Sequence, residues 1–154
     1  MELLVNWLPT HSFVFGLNIL KTLIALYFAI LFIQSGLDKV MNREGNLSWL
    51  NEYFSKTFLK GQVPLLLLSI TITELAAGAF SAIGIIELWV AGGHSFALYG
   101  ATFAVLNFVM LFFGMRLAQD YDGAASMTNY FTIGVIAVLI MSISIPDAMA
   151  GFMK

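Results

Sequence analysis

The sequence predicts an all-α membrane protein: a bundle of four transmembrane helices with an amphipathic interfacial segment between helices 1 and 2. Of the 154 residues, 60% are apolar and only 10% charged, where soluble domains carry about a quarter charged, and the mean hydropathy is +0.89. The apolar residues fall into four long runs, each close to the ~20 residues a helix needs to cross ~30 Å of hydrocarbon. The runs lack the period-two alternation of barrel strands, and a helix satisfies its own backbone hydrogen bonds where no water can. The whole chain, 1–154, is expected to form a single transmembrane domain.

The first run covers 13–36. A cleavable signal peptide would open on basic residues, whereas residues 1–10 carry Glu2 and neither Lys nor Arg, so this run is expected to be a retained span. The connection at 37–62 is polar, yet Leu47, Trp49, Leu50, Tyr53, Phe54, Phe58 and Leu59 recur at three- and four-residue steps, which is helical spacing. Two placements stand. With Lys56 and Lys60 on its polar side, the stretch can lie flat among lipid headgroups with its aromatic face toward the acyl chains. Alternatively, it is a solvated loop that packs its aromatics on the end of the bundle.

The second run, 63–86, places Pro64 in its first turn, where a missing N–H costs little. The third, 95–117, ends in RLAQDYDG (116–123): a base at a helix C-terminus complements the helix dipole, and Gly123 is expected to terminate the turn. The fourth runs over 125–145. Positive connections stay cytoplasmic. Lys39, Arg43, Lys56 and Lys60 lie between spans one and two, and Arg116 lies between spans three and four. The opposite side has only Lys154. Both termini are therefore expected on the outer side, with Trp7 and Trp89 at the outer interface and Trp49 and Tyr121 at the inner one.

Ionisable groups inside spans are costly enough to be functional candidates. Glu74 lies ten residues past Pro64, about 15 Å into the membrane, and Lys21 stands in the outer half within an expected axial gap of about 7 Å. Thr71, Glu74, Gly78 and Ser81 form a polar, small stripe on one face of the second span. Gly100, Ala104, Asn107 and Gly114 form another on the third, where Asn107 is an expected hydrogen-bond partner for the carboxyl. One reading makes Glu74 and Asn107 fasteners of the bundle, such membrane hydrogen bonds averaging about 0.6 kcal/mol. The other makes Glu74 the candidate catalytic group, a proton-carrying or headgroup-binding carboxyl, with Asn107, Lys21 and Gly78 around a lipid or quinone cavity.

Other chemistries are excluded or demoted. A net charge of -2 offers no basic field for nucleic acid. Cysteine is absent, which removes disulfides, thiolate metal sites and iron–sulfur clusters. Asp120 and Asp122 are too few carboxylates for a calcium site, and no metal site is expected. His11 and His94 fall on one predicted side and are read as interfacial hydrogen-bonding groups rather than as an axial pair for haem. Glu87, beside Trp89, is expected to reach water.

The end of the first span, QSGLDK (34–39), and the stripe of the second, ELAAG (74–78), resemble the DoxX-like family of small bacterial four-helix membrane proteins. In that family helix 1 ends in Gly-x-x-Lys and helix 2 carries Glu-x-x-x-Gly, so Gly36, Lys39, Glu74 and Gly78 are the matching positions. Where many members have an Arg early in helix 1, this chain has Lys21. Where many have Gly-Pro-Gly before helix 4, it has GMRLAQDYDGA (114–124). The resemblance implies a bacterial inner membrane and a link to subunits of a terminal quinol oxidase and a thiosulfate:quinone oxidoreductase. The leading expectation is an accessory or structural subunit of a respiratory, quinone-linked membrane complex, with lipids and other membrane subunits as partners and no cofactor bound by the chain itself. The alternative is a quinone- or lipid-binding oxidoreductase component using Glu74. Transport ranks third, since no interrupted helix pairs or inverted repeat are visible.

Overall fold

A computed structural model describes residues 2–144 of the chain, with side chains from residue 12 onward. Among the described residues five helices follow one another: α1 (Glu2–Met41), α2 (Arg43–Tyr53), α3 (Val63–Val90), α4 (Ser95–Leu117) and α5 (Tyr121–Ser142). Four are long and apolar enough to cross a membrane, over Ser12–Met41, Val63–Val90, Ser95–Leu117 and Tyr121–Ser142. The protein is thus a multi-pass membrane protein with the expected four spans. Trp7, His11 and Lys154, used above for orientation and for the haem reading, lie outside the described side chains.

The helices outrun the apolar runs at several ends. The α1 helix continues five residues past Gly36 to Met41, because Leu37, Asp38, Lys39 and Val40 are all compatible with helix even where hydropathy has fallen. The α5 helix begins at Tyr121, since the Asp120 side chain caps it by accepting the Gly123 N–H at 2.8 Å. Gly123 therefore sits in the first turn of α5 and does not terminate the preceding turn. The left-handed position falls instead on Gln119, with φ 60°.

The bundle is built in the order α1, α3, α4, α5, each helix packing chiefly on the next. Lipid supplies no hydrophobic drive between helices, so close approach through small residues has to supply dispersion contact. At Gly78 an added Cβ would stand 2.9 Å from the Ile33 backbone nitrogen, and at Gly84 it would enter the Ala97 backbone. These two glycines let α3 lie directly against α1 on one side and α4 on the other. Ala77, Ala97, Ala101 and Ala104 are fully buried along the α3–α4 contact, and Ala25, Ala137 and Met141 extend the same core toward α1 and α5. Larger gaps are filled by Phe28, Phe32 and Phe108, with the Phe32 and Phe108 rings 5.4 Å apart.

The aromatic residues of 37–62 divide between those packed on the end of the bundle and those left exposed. The α2 helix buries none of its residues, and Trp49 and Phe58 stay exposed at the membrane end. Phe54 and Leu59, by contrast, are buried with Val63 in a second small core against Leu66 and Leu117. The segment is an aromatic shelf fastened to the end of the bundle.

The glycine packing gives a direct test. Gly84→Ala should lower the thermal unfolding midpoint in detergent, overpacking of this kind costing about 1–3 kcal/mol. Gly16→Ala, where no described residue lies within 4 Å, should be neutral or slightly stabilising through helix propensity. Equal midpoints for the two variants would contradict the packing described.

Candidate functional site

On α3, Thr71, Glu74, Gly78 and Ser81 all face inward and are buried, as their spacing predicts. The contacts of Glu74 come from the last turns of α1. Ser35 Oγ donates to Glu74 Oε1 at 3.0 Å, and Lys39 Nζ forms an ion pair with Oε2 at 2.9 Å. Lys39 Nζ also donates to Ser35 Oγ at 2.8 Å. Ser35 and Lys39 are four residues apart and so share one face of α1. Gly36 brings that face onto α3: a Cβ there would lie 2.7 Å from Leu75 Cδ2. Ser35, Gly36, Lys39, Glu74 and Gly78 thus form one unit in which two glycines set the helix distance and three polar groups close on each other. Glu74 is 2% exposed, and the Lys39 side chain, at 18%, keeps a partial path to the bundle end.

Lys21 does not join Glu74. It stands fourteen residues before Ser35, about 21 Å up the helix, fully buried, and its Nζ donates to the Ile143 carbonyl at 2.6 Å. The axial estimate of 7 Å fails because α3 starts well below the end of α1, the space there being filled by α2 and the 54–62 turns. Lys21 instead holds the C-cap of α5, where the last carbonyls lack helical partners. Asn107 does not reach Glu74 either; its Nδ2 donates to Thr73 Oγ1 at 2.9 Å, tying α4 to α3 one residue away. Among the described residues, Asn107 Oδ1 and Ser81 Oγ are buried without a hydrogen-bond partner.

At the opposite end, Glu87 Oε2 accepts the Phe96 N–H at 2.8 Å, stapling the short turn and placing negative charge on the α4 N-terminus. Trp89 Nε1 donates to Thr22 Oγ1 at 2.9 Å. The His94 imidazole is held below its ordinary pKa by burial and by positive Lys21, with Glu87 opposing. No three metal-ligating acids or histidines gather among the described residues.

A second feature lies under α2. A cavity of about 390 Å³ opens between α2, α3 and α4, with Asp120 and the phenol of Tyr53 at one end. Tyr53 Oη donates to Asp120 Oδ2 at 2.8 Å across 67 residues of chain. The Gly123 N–H and the Tyr53 hydroxyl hold the Asp120 carboxyl below the usual carboxylate range. Burial, then the hydrogen bond and charge of Asp120, push the Tyr53 phenol up to about 12. Nothing in the local sequence announces this pair; the helical spacing of Tyr53 with Trp49 and Leu50 is its only trace.

Removing Lys39 alone leaves a buried carboxylate uncompensated. Lys39→Met should therefore destabilise by about 3 kcal/mol, and Lys39→Met with Glu74→Gln should recover part of that loss in a double-mutant cycle. Additive effects would show that the two groups do not interact. For Tyr53 the folded pKa lies above the unfolded one, so its stabilisation is intact below pH 10.0 and is lost as pH rises toward about 12. Phenolate absorbance should lose a component near 12 in Tyr53→Phe, and Asp120→Asn should shift that component down; a curve unchanged by either variant would contradict the assignment.

No curated relative and no solved structure matches the chain. The DoxX family profile matches residues 20–107, more than half of the chain. That stretch contains the α1 face bearing Ser35, Gly36 and Lys39, the α3 face bearing Glu74 and Gly78, and α4 as far as Asn107. The unit that holds α1 to α3 lies wholly inside the shared region, and the chain belongs to the DoxX family.

Proposed function

We propose that the protein is a non-catalytic accessory subunit of a respiratory, quinone-linked complex, set in a bacterial inner membrane with the α2 end in the cytoplasm. The observation that carries this reading is that the ionisable groups inside the bundle are already engaged. Glu74 is closed by Lys39 and Ser35, and Lys21 by the Ile143 carbonyl. A group committed to holding helices together is poorly placed to turn over substrate. The outer faces suit lateral association. Ile136 and Leu139 on α5 are exposed, and an apolar cleft of about 380 Å³ lies along the α1–α5 seam between Leu23, Tyr27, Ile133 and Ile136. Lys39, Arg43, Lys56, Lys60 and Arg116 gather at the α2 end and support its cytoplasmic placement.

The alternative, quinone binding with Glu74 moving the proton, has one observation in its favour, the partial exposure of Lys39. The two readings separate experimentally. Affinity purification from native membranes in mild detergent should bring down oxidase or dehydrogenase subunits, and Glu74→Gln should retain them with quinone-linked turnover of the complex intact. A protein that runs alone overturns the accessory role. Loss of turnover in an assembled Glu74→Gln complex transfers the weight to the alternative.

A further inference from the structure

The cavity under α2 has a composition that selects a ligand. Its walls are almost wholly apolar, and its charged group is Asp120, with no Lys, Arg or His among the lining residues. Lys39–Glu74 is the one ion pair among the described residues, so the Asp120 carboxylate has no basic partner. Each of its oxygens accepts one hydrogen bond, from Tyr53 and from Gly123, which leaves further acceptor capacity on both. The nearby guanidinium of Arg116 lies over the Tyr121 ring, 4.8 Å from its centroid.

The rings beside the carboxylate complete the pattern. Trp49 and Tyr53 stack at 4.9 Å, and Phe54 meets Tyr53 edge-on at 5.0 Å. Trp49 remains more than half exposed, at 58%, so part of its surface is free to receive a ligand. Aromatic faces attract ammonium groups, by about 0.5–2 kcal/mol depending on desolvation, and a carboxylate adds direct charge complementarity. The volume lies in the usual range for small-ligand sites, roughly 300–1,000 Å³. From the Asp120 end the walls run inward along α3 and α4 to Ile70 and Met110, seven residues beyond Val63 and before Leu117 respectively. That is about 10 Å of apolar slot.

We propose that this cavity binds an amphiphile with a cationic head, its ammonium against Asp120 and the Trp49–Tyr53 rings and its alkyl tail along Leu66, Ile70 and Met110. The chemistry is shared by an aminophospholipid and by a free lipophilic ammonium compound. It is independent of any partner complex, and it does not use Glu74.

The test uses the purified full-length protein in dodecyl maltoside. Decyltrimethylammonium, 1-decanol and decanoate are titrated by calorimetry. The cation should bind saturably and at least about tenfold more tightly than the alcohol or the anion. Asp120→Asn, which retains a capping side chain, should weaken the cation by about tenfold and leave the alcohol unchanged. Trp49→Leu, which leaves the α5 cap untouched, should weaken it several-fold, so the outcome survives should the Asp120 variant misfold; helicity by circular dichroism checks both. Cation and alcohol binding alike, with neither variant changing the cation, would overturn the proposal. Native mass spectrometry from vesicles of equimolar phosphatidylethanolamine and phosphatidylglycerol separates the sources. Retained phosphatidylethanolamine that is lost in Asp120→Asn supports the site and identifies a lipid. Retention of neither lipid alongside saturable cation binding supports the site and identifies a free cation. Preferential retention of phosphatidylglycerol counts against it.

Discussion

Two opposite charges on separate helices, Glu74 buried and Lys39 only partly exposed, have one low-energy arrangement, and the α1–α3 pair is built around it. Taking an ion out of water costs several kcal/mol even after relaxation, and only a close partner with good geometry offsets that cost. Lys39 and Glu74 meet this condition at 2.9 Å, and they can do so because Gly36 and Gly78 remove the side chains that would hold the helices apart. Ser35 fills the remaining polar demand. Charge pairing fixes the register of α1 against α3; backbone proximity makes the pairing possible.

With α1 and α3 fixed, the remaining elements follow by contact. The α4 helix lies on the opposite face of α3 through Gly84 and Ala97, and Asn107 ties it to Thr73. The α5 helix then packs on α4. The shelf of 42–62 is joined to the far side of the bundle by Tyr53 and Asp120, which bridge the two turns that leave the membrane at the same end. Electrostatics thus closes the structure twice, once within the spans and once at their margin.

The four spans were legible because hydrocarbon thickness imposes a length that any helix must meet. Helix ends were less so. Hydropathy marks the slab of lipid and not the end of the helix, so Lys39 read as a terminal motif residue and not as the partner of Glu74. The inward stripe of Thr71, Glu74, Gly78 and Ser81 was legible from helical periodicity alone. Its partners were not, since periodicity gives a face but not the vertical offset between two helices. That offset depends on the 54–62 turns, whose fold rests on Phe54 and Leu59 entering a core shared with Leu117. The Tyr53–Asp120 pair depends on the same offset and was invisible for the same reason.

The attachment of α5 has a mechanical side. Along its length it is held by α4, and near its far end the buried amine of Lys21 grips the carbonyl of Ile143. Among the described residues, a force drawing the C-terminal end out of the bilayer would therefore load that amine as well as the contact of the helix with its neighbour. Lys21 acts there as a latch, a side chain of the first helix closing on the end of the last.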